Sequence, residues 1–299
     1  MTSDPRRRRL VGVGFALLSA ACFGVMPVLT KIVYEDGAEP VAVLTVRFTL
    51  AALMLLALAR LRGDALPRGR RLAALGALGG IGYAGQGLCF FFALERISAG
   101  LTSLLLYFYP ALVVLLGALL LRERPRPVAV GCVIVATAGT VLTLGPVQGG
   151  QVAGVAFGLA AALVYALYIL ASSRVTEVAP VAMAATAIAA GAVTFNLLFL
   201  LTRPRLPDET SAWLALVGIA LFGTVLAVTA FFAALALLGP SDTAVVSTVE
   251  PVVSIAVAGL VLGERLSPLQ AAGGAVVLLA VTVLARLRPV PEPAPQEQI

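Results

Sequence analysis

Histidine is absent from the 299 residues, and with it goes the commonest general base and metal ligand. The three cysteines, Cys22, Cys89 and Cys132, stand singly in apolar runs, so neither a disulfide framework nor a zinc site is indicated. No G-x-x-x-x-G-K-[ST] loop occurs, which argues against direct ATP coupling within this chain. Charge is scarce as well: 12% of residues are charged against about 25% in soluble domains. The apolar runs hold no Asp/Glu pair and no nucleophile with an adjacent base, which leaves an intramembrane enzyme little to work with. No cofactor and no metal are expected. Of 21 basic residues only Lys31 is a lysine, a usage typical of GC-rich bacterial genomes.

What the chain has in quantity is hydrophobic surface, 60% of residues against about 45–50% in an average domain. Ten apolar runs are separated by short polar connections, at about 10–33, 41–61, 72–94, 98–121, 127–144, 151–172, 180–201, 212–238, 241–263 and 268–285. A spanning helix takes about 20 residues, so these runs predict an all-α membrane protein of ten helices with no room for a soluble domain. The runs are continuous and rich in Leu and Ala, without the two-residue alternation of a barrel strand. The first follows a basic N-terminus, 1–9, and is too long for a signal peptide. The tail, 287–299, is Pro-rich and polar, the composition of a disordered segment.

The net charge of +6 does not form a nucleic-acid patch, because the basic residues lie between apolar runs and report topology. With a cytoplasmic N-terminus, fifteen arginines fall on the cytoplasmic side (Arg6 to Arg9, Arg60, Arg62, Arg68, Arg70, Arg71, Arg122, Arg124, Arg126, Arg174, Arg286 and Arg288). Four face the opposite side: Arg96, Arg203, Arg205 and Arg265. Both termini are therefore predicted to be cytoplasmic, with Tyr34 and Trp213 as anchors at the outer interface. The expected partners are a small-molecule substrate and the lipid bilayer; the sequence leaves the oligomeric state open, and a monomer is compatible with it.

The two halves, 10–144 and 151–286, repeat across a Gly-rich link at 145–150. An offset of 141 places Glu123-Arg124 on Glu264-Arg265, Pro110 on Pro251, Pro127 on Pro268, Thr102 on Thr243, Phe90-Phe91 on Phe231-Phe232 and Gly82 on Gly223. Each half holds five runs. An odd number turns the second copy upside down in the membrane, the inverted-repeat plan of many secondary transporters.

The most informative run is 241–263, where Glu250 stands near the middle of an otherwise aliphatic segment, followed by Pro251. Placing a charge at a helix centre costs about 2.5–3.5 kcal/mol, so such a residue carries a functional presumption. Thr243, Ser247, Glu250 and Ser254 fall on one helical face, and Pro110 and Pro251 are expected to break their helices. The offset pairs Glu250 with Tyr109.

The Glu250-Pro251 step followed by Gly263-Glu264-Arg265-Leu266-Ser267-Pro268 resembles the signature of EamA-type transporters of the drug/metabolite transporter (DMT) superfamily. Phe23-Gly24 with Lys31, Arg47-Phe48, and Tyr109-Pro110 with Arg122-Glu123-Arg124 are similar to that family's first, second and fourth helices. Phe23 stands where the family usually has tryptophan. The resemblance implies an inner-membrane carrier whose central cavity opens alternately to each side, without implying a substrate.

Candidate substrate or coupling residues are Glu250, Tyr109, Tyr107, Ser247, Thr243 and Ser254, with Gln86 on the face of Tyr83 and Phe90, the stripe Tyr165, Tyr168 and Ser172, the intramembrane cations Arg47 and Lys31, and Asn196. Each has a structural alternative. Glu250 could serve groups freed by Pro251; Arg47 and Lys31 could pair with Glu35, Asp36 or Glu39 at the outer rim; the hydroxyls and amides could join helices. Glu123 and Glu264 read as structural pairs with the arginines that follow them. The expected function is secondary transport of small organic metabolites or drugs by alternating access, with amino-acid-like, cationic or zwitterionic solutes favoured, export as the expected direction and Glu250 as the candidate for proton coupling. A lipid or lipid-linked sugar flippase is the alternative.

Overall fold

The computed structural model describes residues 5–120, 127–144, 151–172 and 178–287. These fold into helices α1 (Pro5–Glu35), α2 (Pro40–Arg62), α3 (Gly69–Ala77), α4 (Ala84–Arg96), α5 (Ala99–Leu106), α6 (Tyr109–Leu120), α7 (Pro127–Leu144), α8 (Val152–Ser172), α9 (Pro180–Thr202), α10 (Thr210–Ala220), α11 (Ala227–Leu238), α12 (Pro240–Ser247), α13 (Val249–Val261) and α14 (Pro268–Leu287). A π-helical turn, Leu78–Tyr83, joins α3 to α4, and a second, Leu221–Leu226, joins α10 to α11. Among the described residues, eight helical segments are long and apolar enough to cross a membrane, and Pro127–Thr143 and Val245–Val261 are shorter apolar helices. The link at 145–150, the Glu123-Arg124 pair and the tail at 288–299 lie outside the described residues.

Prolines punctuate this architecture in two ways. Pro40, Pro127, Pro180, Pro240 and Pro268 each open a helix, where a missing N–H costs nothing because the first turn has no intrahelical acceptor for it. Pro110 and Pro251 sit in the first turns of α6 and α13, so the breaks precede them, at Tyr107–Phe108 and at Thr248. The run at 241–263 is therefore two helices, and the polar stripe expected along it is divided between α12 and α13. A further proline, Pro27, lies inside α1.

The dominant helix contacts all join one half of the chain to the other: α1 with α11 and α13, α2 with α9, α4 with α8, and α7 with α14. The main core clusters around Phe48, Phe91, Phe195, Leu44, Leu55 and Leu216, all fully buried. Small residues allow the closest approaches. A Cβ on Gly79 would lie 2.1 Å from Ala187 O on α9, and one on Gly273 would lie 2.4 Å from Thr143 N on α7.

The connections at one end of the bundle are tied by carboxylates. Asp36 Oδ2 accepts the backbone N–H groups of Asp208 (2.7 Å) and Glu209 (2.9 Å) at the start of α10, and Glu39 N donates to Arg205 O (3.0 Å). Glu264 accepts from Ala99 N (3.0 Å) and Gly100 N (3.4 Å), capping α5. Glu264 thus serves a helix start, where orphan donors and the positive end of the helix dipole favour a carboxylate, and its role corrects the expected pairing with Arg265. The Tyr34 phenol donates to Phe91 O (3.0 Å), which ties the end of α1 to α4.

Overpacking a tight contact costs about 1–3 kcal/mol. Gly79→Ala is expected to lower the thermal-unfolding midpoint in detergent, whereas Gly14→Ala, whose Cβ would meet nothing within 4 Å, should leave it unchanged or raise it through helix propensity. Equal shifts in the two variants would contradict the packing described for Gly79.

Candidate functional site

A cavity of about 350 Å³ opens among the helices. Its wall is built from the middle of α1 (Ser19, Phe23, Met26), from Arg47 on α2, and from Tyr83 with Gln86, Phe90 and Phe91 on α4. The α5–α6 break contributes Leu106, Tyr107 and Tyr109; α8 contributes Tyr165, Tyr168 and Ser172; α9 contributes Met183 and Ile188. Val228, Phe231 and Phe232 of α11 and Ser247 and Glu250 of the α12–α13 break complete it. Among the described residues, Arg47 and Glu250 are the only charged side chains in the lining.

A proline removes the donor for the carbonyl four residues before it. For Pro27, Pro110 and Pro251 those carbonyls belong to Phe23, Leu106 and Ser247, and all three residues line the cavity. At Ser247 the replacement donor is visible: Tyr107 Oη donates to Ser247 O at 2.6 Å. The same phenol lies 2.9 Å from Glu250 Oε2. Tyr107, from the other half of the chain, thus joins the freed carbonyl to the intramembrane carboxyl.

Five of the chain's six tyrosines line this cavity and form a connected run. Ring centroids are 6.1 Å apart for Tyr107–Tyr109, 4.7 Å for Tyr109–Tyr165, 6.2 Å for Tyr165–Tyr168 and 5.7 Å for Tyr168–Tyr83. These separations lie within the range in which aromatic pairs attract. Glu250 stands at one end of the run. At the other, Arg47 sits between the Phe48 and Phe91 rings, with its guanidinium carbon 5.4 and 5.3 Å from their centroids. Arg47 Nε donates to Thr224 Oγ1 at 2.9 Å, and the Tyr83 phenol is a second polar neighbour.

The structure sorts the candidate residues. Glu250, Tyr107, Tyr109, Ser247, Gln86, Tyr165, Tyr168 and Arg47 meet at one cavity. Thr243 is buried, with its hydroxyl donating to Gly239 O (2.7 Å), and Ser254 shares a 2.9 Å hydroxyl contact with Ser103; neither lines the cavity. Asn196 Nδ2 donates to Thr49 Oγ1 (2.9 Å) and Ala192 O (2.8 Å), a contact between α9 and α2. Lys31 is also off the lining, with Glu264 and Glu35 as its acidic neighbours. A helical stripe cannot separate these cases, because the face it defines meets the cavity over only part of its length. Thr224, which touches Arg47 without lining the cavity, is marked by no stripe, although it follows Gly223 as Tyr83 follows Gly82 in the 141-residue register.

Residues 10–145 and 152–286 each match the EamA-like transporter family. The chain belongs to that family. This EamA-like chain is 31% identical over 192 residues to a protein of Ancylobacter novellus named aromatic amino acid exporter YddG, covering 62% of this chain and 67% of the relative. It is 26% identical over 294 residues to the uncharacterized transporter YcbK of Bacillus subtilis (strain 168), covering 92% and 93%. A solved crystal structure, 23% identical, superposes with a TM-score of 0.66 over 92% of this chain and 97% of its own, and so shares the fold. The EamA-like chain is thus a multi-pass membrane protein of the DMT superfamily.

Leaving a buried acceptor without its donor costs about 1–3 kcal/mol. Tyr107→Phe is therefore expected to unfold several degrees below wild type in a detergent melt, while Asn196→Ala, away from the cavity, should keep wild-type ligand binding. A Tyr107→Phe melt that overlays wild type would remove the assigned role of the phenol.

Proposed function

We propose that this EamA-like chain is a secondary transporter that exports amino-acid-like zwitterions, those with aromatic side chains foremost, across the bacterial inner membrane by alternating access. The observation that carries the reading is the cavity's content: one guanidinium and one carboxyl at the two ends of a run of five tyrosines. A zwitterion needs a group of each sign, and an aromatic side chain gains from ring contacts between them. The name of the Ancylobacter novellus relative agrees with that chemistry.

The architecture in this reading is ten helices in two inverted five-helix repeats, with both termini cytoplasmic. The double family match supports it, as do the breaks before Pro110 and Pro251 and the two π-helical turns, which recur in corresponding segments of the halves. The fifteen-to-four arginine asymmetry supports the orientation.

Coupling to protons through Glu250 is the finer part of the proposal. The Tyr107 phenol has one hydrogen and two oxygens within reach, Ser247 O and Glu250 Oε2. A proton on Glu250 satisfies both contacts at once. Without it, one hydrogen must serve two acceptors, so protonation of Glu250 and the position of Tyr107 are linked. Glu250→Gln keeps an oxygen for the phenol while removing the titration.

Purified protein in detergent, screened against amino acids, nucleosides, sugar phosphates and cationic drugs, should be stabilised by aromatic amino acids. A ligand at about 100 times its Kd adds about 2.7 kcal/mol to the state that binds it, enough for a clear shift. In liposomes, Glu250→Gln should transport at a rate independent of pH where wild type is pH-dependent. Stabilisation by none of the zwitterions, together with lipid headgroup movement in the same liposomes, would replace this reading with a flippase; unchanged pH dependence in Glu250→Gln would remove the coupling role.

A further inference from the structure

We propose that Thr224, presented by the π-helical turn between α10 and α11, is a positioning residue that orients Arg47 for the carboxylate of the ligand. The inference deepens the functional reading above and rests on it.

Thr224 is fully buried in the turn Leu221–Leu226. Its hydroxyl reaches Ile219 O, five residues back, at 3.3 Å, and its oxygen accepts Arg47 Nε–H at 2.9 Å. A π-turn shifts hydrogen bonding to five-residue spacing, a local departure from the α-helix that recurs at functional sites. Tyr83, in the same position of the 141-residue register, closes the other π-helical turn and flanks Arg47 too. Two irregular turns, one from each half of the chain, therefore converge on a single side chain.

The consequence concerns orientation. A guanidinium has five N–H donors; with Nε committed to Thr224 and the Tyr83 phenol as a second partner, the remaining donors on the terminal nitrogens lie in the planar fork that fits a carboxylate. The Phe48 and Phe91 rings lie 5.4 and 5.3 Å from the guanidinium carbon and confine the group, and the bond from Nε to Thr224 sets the direction in which the fork points. Carboxylate recognition by arginine depends on this geometry as well as on charge. Thr224 thus acts on ligand selectivity through Arg47, without touching the ligand.

The test compares binding of L-phenylalanine and L-phenylalaninamide to the purified full-length chain at about pH 6, where both amines are protonated. The ratio of the two dissociation constants reports carboxylate recognition and does not depend on the fraction of protein that is folded. A charge-assisted hydrogen bond supports roughly tenfold discrimination or more, so wild type should prefer the acid by at least that factor. Thr224→Val should lose most of the preference with its amide affinity unchanged, Thr224→Ser should retain it, and Arg47→Gln should abolish it. If valine destabilises the fold, Thr224→Ala against Thr224→Ser makes the same comparison. A wild-type ratio in both Thr224→Val and Thr224→Ala, alongside its loss in Arg47→Gln, would overturn the role of Thr224 and leave the reading of Arg47 standing. A ratio unchanged in Arg47→Gln, or no preference in wild type, would overturn both.

Discussion

A proline within an apolar segment leaves one carbonyl without its helical donor, and lipid offers no water to replace it. Much of the site follows from that constraint. Pro251 frees the carbonyl of Ser247, and the phenol that answers it, Tyr107, comes from the break that precedes Pro110 in the other half of the chain. Glu250, one residue before the proline, shares the same phenol. A backbone defect, an aromatic hydroxyl and an intramembrane carboxyl are thereby one unit, and the helix interruptions are part of the cavity wall.

The opposite end of the tyrosine run is organised by a different irregularity. Arg47 enters the bundle on a regular helix, yet its flanking groups, Thr224 and Tyr83, come from the two π-helical turns. A buried guanidinium needs hydrogen-bond acceptors and aromatic faces, because burial removes its water shell. Phe48, Phe91 and Thr224 supply them. The charges are thus held by segments that depart from ideal helix, while the described residues of α7 and α14, packed on each other, contribute nothing to the cavity lining. Regular helix provides the frame, and chemistry concentrates where the frame is interrupted.

The carboxylates outside the bundle core have another task. Asp36 and Glu264 each receive two backbone N–H groups from a segment distant in sequence. Helix starts carry orphan donors that need acceptors wherever water is restricted. These contacts join the α1–α2 connection to α10 and the α13–α14 connection to α5. They explain why these two acidic residues near helix ends serve backbone donors across the bundle.

Composition and hydrophobic run length by themselves determined that the chain is helical and membrane-embedded, because a bilayer of fixed thickness demands long apolar segments. The 141-residue register and the Glu250-Pro251 step pointed to a transporter, and Glu250 lines the cavity. Of the intramembrane charges, Glu250 and Arg47 line the cavity, whereas Lys31 lies off it with Glu264 and Glu35 as its acidic neighbours. What only the tertiary structure decided is which polar groups meet. Helical periodicity gives a direction around one axis, whereas the choice of Tyr107 as the partner of Ser247 and Glu250, the assignment of Ser254 and Asn196 to helix contacts, and the seating of Arg47 on Thr224 all depend on how helices from the two halves cross. Those crossings are set by close packing at sites such as Gly79 and Gly273, and no local pattern in the sequence records the distance between two helices.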